Sequence, residues 1–511
     1  MAAGAEIELK FLFAERDSTK IKSLISAAAG AKQPARQRLH AIYFDTPNCD
    51  LWKHGFTLRV RANGKVHIQT IKRLVSSSIH RDEWEVETDQ TEPDFEFIKN
   101  TPLARLASKA SIRAALRPAF EVKVERTSYW LAVGGGIIEA SFDRGVIEAN
   151  GDKLGVREFE LELKSGGQRA LFNFARALVS QAPLHPSLIS KSERGHLLAG
   201  GTWGRAAKGS KPRLAKDMTC GQAFQEISQT CLRDFHLNLL GLEKLDNAEA
   251  VHQARVAIRR LRAAMALFKP MVFDIAYRRI LSELKWLARL LGAARDLDVL
   301  QANLPLRAGW SQADARAREL ASHCEAERLR ARQSAIEALN SERGRILLLN
   351  LAVWLEDGQW LRQPSSIAGE PMQGFARRRL KKRLKKLVRQ GAGLAHLAPG
   401  PRHKVRIESK ELRYMAEFFV DGPGVAKDRK CLKKLIDCCE KLQAALGLIR
   451  DEEVMAEFME SEAWRNAGAA NGEANPAILT SGQPLQAEDG TEKELKKAVR
   501  AHMNLAAIDA F

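Results

Sequence analysis

Glu6, Glu8 and Lys10 stand at alternate positions near the start of the chain. The same spacing recurs at Arg59/Arg61, Glu83/Glu85/Glu87, Glu121/Lys123/Glu125 and Glu158/Glu160/Glu162/Lys164. Residues two apart on an extended strand share a face. Each run therefore puts its charges on one side and its apolar residues, such as Ile7, Leu9 and Phe11, on the other. Carboxylates gathered in this way hold hard divalent cations such as Mg²⁺ or Mn²⁺ through oxygen, and Arg and Lys hold phosphate oxygens. One such strand is more often the solvated face of an ordinary sheet. Five of them make a different case if the sheet closes. With helices over the apolar face, the charged face would line a tunnel suited to a nucleotide or a short chain of phosphates.

A second constellation lies further along. His252 is followed by Arg255, Arg259 and Arg262, and His403 by Arg406, Lys410 and Arg413, at the same three offsets. At about 100° per residue these positions fall on one helix face. Each run precedes a Leu-Gly-x-x-Arg-Asp element, Leu291–Asp296 and Leu446–Asp451. The two copies are separated by 151 residues at the histidines and 155 at the glycines, the mark of a duplicated helical unit. Two such faces packed together would form a basic groove for a linear polyanion. His252 and His403 have no Asp, Cys or further His at ligand spacing, so anion binding or hydrogen bonding suits them better than a metal. Arg295 and Arg450 read as structural partners of the neighbouring Asp296 and Asp451 or of helix ends. The run Arg377–Arg389 reads as a solvated face, with extension of the polyanion path or a nucleic-acid patch as the other readings.

The elements that must position these residues differ in texture. From Ala5 to about Lys164 apolar residues alternate (Leu58/Val60, Trp84/Val86, Val122/Val124, Phe159/Leu161/Leu163) between turn signals at Asn63-Gly64, Gly134–Gly136 and Asn150-Gly151. That predicts antiparallel strands and hairpins, interrupted by helices near Ser18–Ala29 and Phe95–Ala110. A loop-like linker occupies 201–217. After Met218 the period becomes three and four, predicting long helices to about Met459. Residues 467–490 read as a loop or disordered connection, and Glu492–Ala507 as a terminal helix. The expected fold class is α+β: an antiparallel sheet domain over 1–200, then an all-α domain with an internal repeat over 218–511.

Charge follows the same division. Residues 1–200 carry 29 Lys/Arg against 24 Asp/Glu, residues 251–450 carry 40 against 20, and the last 61 residues carry 5 against 12. The whole chain of 511 residues has a formal charge of +19, which makes polyanions the expected partners. With 45% hydrophobic and 28% charged residues, global disorder is not expected. No run approaches the roughly 18 apolar residues of a membrane span, and Met1–Lys10 has no secretory pattern. Seven cysteines at scattered spacings, Cys438 and Cys439 adjacent, make neither a disulfide framework nor a metal site. A reduced, cytoplasmic protein is expected. Aromatic residues at 6% disfavour base stacking, so nucleic acid is not the expected partner of the basic region.

Glu6-x-Glu8-x-Lys10 resembles the opening signature of the CYTH superfamily, the triphosphate tunnel metalloenzymes. The resemblance continues in order through Tyr43–Thr46, Leu58–Arg61, Thr70–Lys72, Arg81–Glu85, Glu125-Arg126, Phe142–Gly145, Glu160–Leu163 and Ser190–Ser192. It implies an eight-stranded antiparallel tunnel acting on triphosphates with Mg²⁺ or Mn²⁺. It further implies Glu6, Glu8, Glu160 and Glu162 as metal ligands, with Asp143 a further candidate. Lys10, Arg59, Arg61, Lys72, Arg81, Arg126 and Lys191 would bind phosphate; Glu158 would be supportive. Glu6, Glu8, Lys10, Arg59, Arg61 and Lys72 form the implied catalytic set. The helical repeat is similar to the CHAD domain, often attached to CYTH domains. That resemblance implies binding of inorganic polyphosphate by His252, Arg255, Arg259, Arg262, His403, Arg406, Lys410 and Arg413, with residence at polyphosphate granules as a further implication. The pairing implies hydrolysis of inorganic triphosphate to pyrophosphate and phosphate. Thiamine triphosphate, ATP (including cyclisation) and a non-catalytic polyphosphate scaffold are the alternatives.

Overall fold

The computed structural model describes residues 4–30, 33–63, 66–73, 80–242, 247–303, 315–422, 428–459 and 487–508. They pack into two compact units, Met1–Arg205 with Ala338–Gly358, and Ala206–Glu337 with Gln359–Phe511.

The first unit is built on strands β1 (Gly4–Leu12), β2 (Ala35–Asp45), β3 (Phe56–Asn63), β4 (Val66–Arg73), β5 (His80–Thr88), β6 (Arg117–Val133), β7 (Gly136–Ala149) and β8 (Asp152–Ser165). The order is β5-β4-β3-β2-β6-β7-β8-β1, all antiparallel. Closure comes from β1, whose Glu8–Leu12 pair with β8 while Gly4–Ile7 pair with β5. Eight strands thus form the expected closed tunnel, and a two-residue β9 (His185–Pro186) pairs with the end of β1. Closure leaves the eight-stranded circuit without a free edge. Gly145 marks a close strand approach: a Cβ there would sit 1.9 Å from the Lys123 carbonyl oxygen.

Period-two patterning separates the two faces. Outside, Leu9, Phe11, Ile138, Phe142, Phe159 and Leu161 pack beneath helices α1 (Ser18–Ala29) and α2 (Gln168–Gln181). Each fully buried Phe or Leu contributes about 1.5–3 kcal/mol. The other flank, Phe44, Leu58, Val60 and Ile71, is covered by Leu51, Ile98, Leu103 and Leu106. The helix expected over Phe95–Ala110 is broken into short turns, Phe95–Ile98, Ala104–Ala107 and Ala110–Ala115. Pro102 lies between the first two, where it can neither donate to a helical ladder nor let its predecessor sit comfortably in one. Inside, the lower tunnel is filled by Tyr43, Phe120, Val122, Val124, Ile147 and Val156 against Leu198 of α3 (Lys191–Ala199).

Among the described residues the longer helices that follow are α4 (Cys220–Leu242), α5 (Ala248–Leu267), α6 (Ile275–Asn303), α7 (Ala315–Asn340), α8 (Glu342–Asp357), α9 (Met372–Gln390), α10 (Pro399–Glu417), α11 (Arg429–Met459) and α12 (Ala487–Ala506). α5 packs against α4, α6 and α10, and α11 against α10 and α12. α8 departs from the expected 218–511 division. Its Leu349 and Val353 are buried with the outer core of the tunnel, and Arg176 of α2 donates to Asn350 at 2.7 Å. Residues 487–490, expected in the loop, are helical, because α12 begins five residues before the expected Glu492. The rest of the expected loop, 467–486, lies outside the described residues, as do Gly64 and the side chain of Asp451.

Candidate functional site

A cavity of 1080 Å³ opens inside the tunnel, with Glu8 and Lys10 of β1, Arg59 and Arg61 of β3, Lys72 of β4, Glu83 and Glu85 of β5, Arg126 of β6, Glu139 of β7, Glu160, Glu162 and Lys164 of β8, and Lys191 of α3 in its lining. Strand alternation and register explain the gathering. Glu8 faces Glu162 and Lys10 faces Glu160 across β1–β8, while Glu139 faces Glu162 and Asp143 faces Glu158 across β7–β8. The Lys10 ammonium bridges Glu8 and Glu160 at 2.5 Å each. Arg126 grips Asp143 with two bonds of 2.7 Å and reaches Glu160 at 2.5 Å. Lys191 meets Asp143 at 2.8 Å and Glu160 at 3.0 Å, and makes a shorter contact with Glu158, which Arg194 holds from below. Lys72 pairs with Glu83 at 2.9 Å, and Arg59 lies 3.6 Å and 3.7 Å from Glu83 and Glu85.

These neighbours set the charge states. Burial works to raise Glu160, yet Lys10, Lys191 and Arg126 outweigh it and hold the carboxyl well below its usual range. Asp143 is lowered in the same way, Lys191 and Arg126 overriding its burial. Both stay ionised at neutral pH. Burial and the nearby Arg59 depress Arg61, the expected signature of cations crowded together where an anion would relieve them.

The donor chemistry fits a hard divalent cation. Oxygens of Asp143, Glu158 and Glu160 lie within 4.8 Å of one another, and Glu8 and Glu162 share the cavity wall with Glu160. Asp143 is fully buried and outside the cavity lining, behind Arg126 and Lys191. The side chains of Glu6 and Arg81 lie outside the described residues; their backbones are register partners on β1 and β5. Glu121, Lys123 and Glu125 correct an expectation. They are on the outer face, paired with His40, Glu148 and Arg38 in solvent, while Phe120, Val122 and Val124 point inward. Glu139 and Arg194 were not singled out from the sequence. Glu139 sits four residues before Asp143 on the same face of β7, a signal that becomes visible once β7 is registered against β8.

In the helical unit a second cavity of 1190 Å³ brings together His252, Arg255 and Arg259 of α5 with His403, Arg406, Lys410 and Arg413 of α10. Seven of the eight expected residues line it; Arg262 does not. Arg289, which was not foreseen, and Arg295 of α6 join them, as does Arg450 of α11. Asp296 pairs with Arg255 at 3.0 Å, in place of the partnership expected with Arg295. The duplication is legible in space. A Cβ on Gly292 would lie 3.9 Å from the Arg255 guanidinium, and one on Gly447 would lie 3.9 Å from that of Arg406. Burial, then Arg295, lower the His252 imidazole. On α9, Lys381, Lys382 and Lys385 are exposed, whereas Arg383 and Lys386 pair with Glu408.

A closed antiparallel tunnel with carboxylates and bases facing inward, followed by a helical repeat, defines the class. The CYTH domain model matches residues 4–196 and the CHAD domain model matches residues 226–460. The chain belongs to the CYTH–CHAD two-domain proteins. It is 30% identical over 161 residues to an inorganic triphosphatase of Haemophilus influenzae, covering 30% of this chain and 44% of that protein. It is 26% identical over 326 residues to an uncharacterized protein of Mycobacterium tuberculosis, covering 58% of each. The chain thus spans about half the length of the curated relatives it matches. The CHAD domain structure from the plant Ricinus communis is similar at 24% identity and a TM-score of 0.45, over 60% of this chain and 97% of that one. Among the described residues no helix is long and apolar enough to cross a membrane.

Proposed function

We propose that the tunnel hydrolyses inorganic triphosphate to pyrophosphate and phosphate with Mg²⁺ or Mn²⁺, and that the helical unit binds inorganic polyphosphate. The observation that carries the first part is one cavity holding Glu8, Glu160 and Glu162 beside Lys10, Arg59, Arg61, Lys72, Arg126 and Lys191. Glu8, Glu160 and Glu162, with Glu6 two residues before Glu8 in the sequence, would hold the cation, whose charge would neutralise the phosphates as the anhydride bond breaks. The bases seat the phosphate oxygens and balance the charge that gathers on the leaving pyrophosphate. Asp143 positions Arg126 and Lys191 from behind, and Glu158 does the same for Lys191 and Arg194. A cavity carboxylate orients the attacking water, so no covalent nucleophile is required. The inorganic triphosphatase of Haemophilus influenzae supports this substrate over ATP and thiamine triphosphate.

The test is phosphate release from inorganic triphosphate, ATP and thiamine triphosphate with each metal, for the wild type and for Glu6→Ala with Glu8→Ala. Metal-dependent release from inorganic triphosphate that disappears in the variant is expected. Release from none of them, with polyphosphate still bound, would replace the hydrolase by a polyphosphate scaffold. Polyphosphate binding itself is tested by competition: duplex DNA displacing it at comparable concentration would remove the polyphosphate assignment.

A further inference from the structure

Lys410 lines the basic cavity of the helical unit. Arg406 and Arg413 flank it on α10, and Arg255 and Arg259 line the same cavity from α5. Among the described residues Asp296 is the one carboxylate in that lining, and it is committed to Arg255 at 3.0 Å. Arg413 is paired with Glu440 at 3.0 Å and Glu417 at 3.1 Å, both outside the lining, yet an ammonium set among these guanidiniums is still disfavoured against the neutral amine. Burial, then Arg259, Arg406, Arg255 and Arg413, push its pKa down to about 6. A lysine beside other cations is an activated nucleophile. Lys410 is half-buried and open to the cavity, not sealed in the core.

We propose that Lys410 is a reactive amine acylated by small acyl phosphates, which the surrounding arginines draw in by their phosphate. This rests on the reading of the cavity as an anion site. The Nζ lone pair attacks the acyl carbon and forms a C–N bond. The C–O bond to the phosphoryl group breaks, inorganic phosphate leaves with the electron pair, and the nitrogen gives up a proton to water. The product is a neutral amide that can no longer gain charge when a polyanion enters, so acylation weakens polyphosphate binding.

The experiment uses the full chain with acetyl phosphate at neutral pH, with and without polyphosphate, and follows each lysine by peptide mass spectrometry. Exposed Lys381, Lys382 and Lys385 serve as references. An ordinary lysine is about a thousandfold poorer in neutral amine at that pH. Even after the weaker basicity of Lys410 is allowed for, it is expected to react at least about tenfold faster than the references and to be protected by polyphosphate. Polyphosphate binding is measured on the same sample. Reaction at the rate of the references, with polyphosphate bound, overturns this proposal alone. Fast reaction at Lys410 with no polyphosphate bound supports the amine and removes the polyphosphate reading.

Discussion

Replacing Lys191 by Met tests how the tunnel holds its carboxylates. The ammonium is buried with Asp143, Glu158 and Glu160, whose oxygens lie within 4.8 Å of one another. In Lys191→Met, Arg126, Arg194 and Lys10 remain, each already engaged with one or two of these carboxylates. Removing one partner of a buried ion pair costs about 3–5 kcal/mol, because the remaining charge stays desolvated. Asp143 and Glu160 are held below their ordinary range when folded, Lys191 and Arg126 overriding burial in both. Their contribution to stability is therefore present above the usual carboxylate titration and lost as pH falls through the folded values. The deficit of Lys191→Met should be widest at neutral pH and shrink on acidification. Hydrogen exchange of peptides from β8 reads it locally, with protection falling by about a hundredfold to a few thousandfold at neutral pH. Unchanged protection, or a deficit that is the same at neutral and acidic pH, would refute the reasoning.

Other expectations are read in simpler ways. Gly195→Ala places a Cβ 2.1 Å from the Phe120 ring, which stacks on Tyr43 at 4.6 Å; a loss of about 1–3 kcal/mol is expected in denaturant unfolding of the tunnel unit. Leu349→Ala removes a fully buried side chain from the outer core and should cost about 2–5 kcal/mol, seen as faster exchange in α2 although the substitution lies far along the sequence. Arg259→Ala or Arg406→Ala should weaken polyphosphate binding and flatten its dependence on the logarithm of salt concentration by about 0.7–0.9 for each phosphate that is no longer neutralised. An unchanged slope would place the anion elsewhere.

Much of the fold was legible because alternation and helical period are local. Helix α1 matches its expected bounds, and the strand faces carrying Glu8/Lys10, Arg59/Arg61 and Glu160/Glu162 point into the tunnel. Alternation separates two faces but does not say which is inside. The Glu121/Lys123/Glu125 face went outward because the register of β6 with β2 and β7 turns Phe120, Val122 and Val124 inward. Glu139 is a lone carboxylate between apolar residues, and only its partner strand reveals its company. Arg289 was within reach, three residues before Gly292 on the same helix face. The destination of α8 was not within reach, since its Leu-rich pattern has the same period as that of the helices around it.

That helix has a consequence for how the protein is made. Translation runs from the N-terminus, and domains generally fold as units as they emerge. Here the strands and α1–α3 leave the ribosome well before Leu349 and Val353, with α4 to α7 synthesised in between. The nascent tunnel must wait with part of its apolar outer wall uncovered until α8 arrives. Its completion and the early assembly of the helical unit are thereby forced to overlap in time.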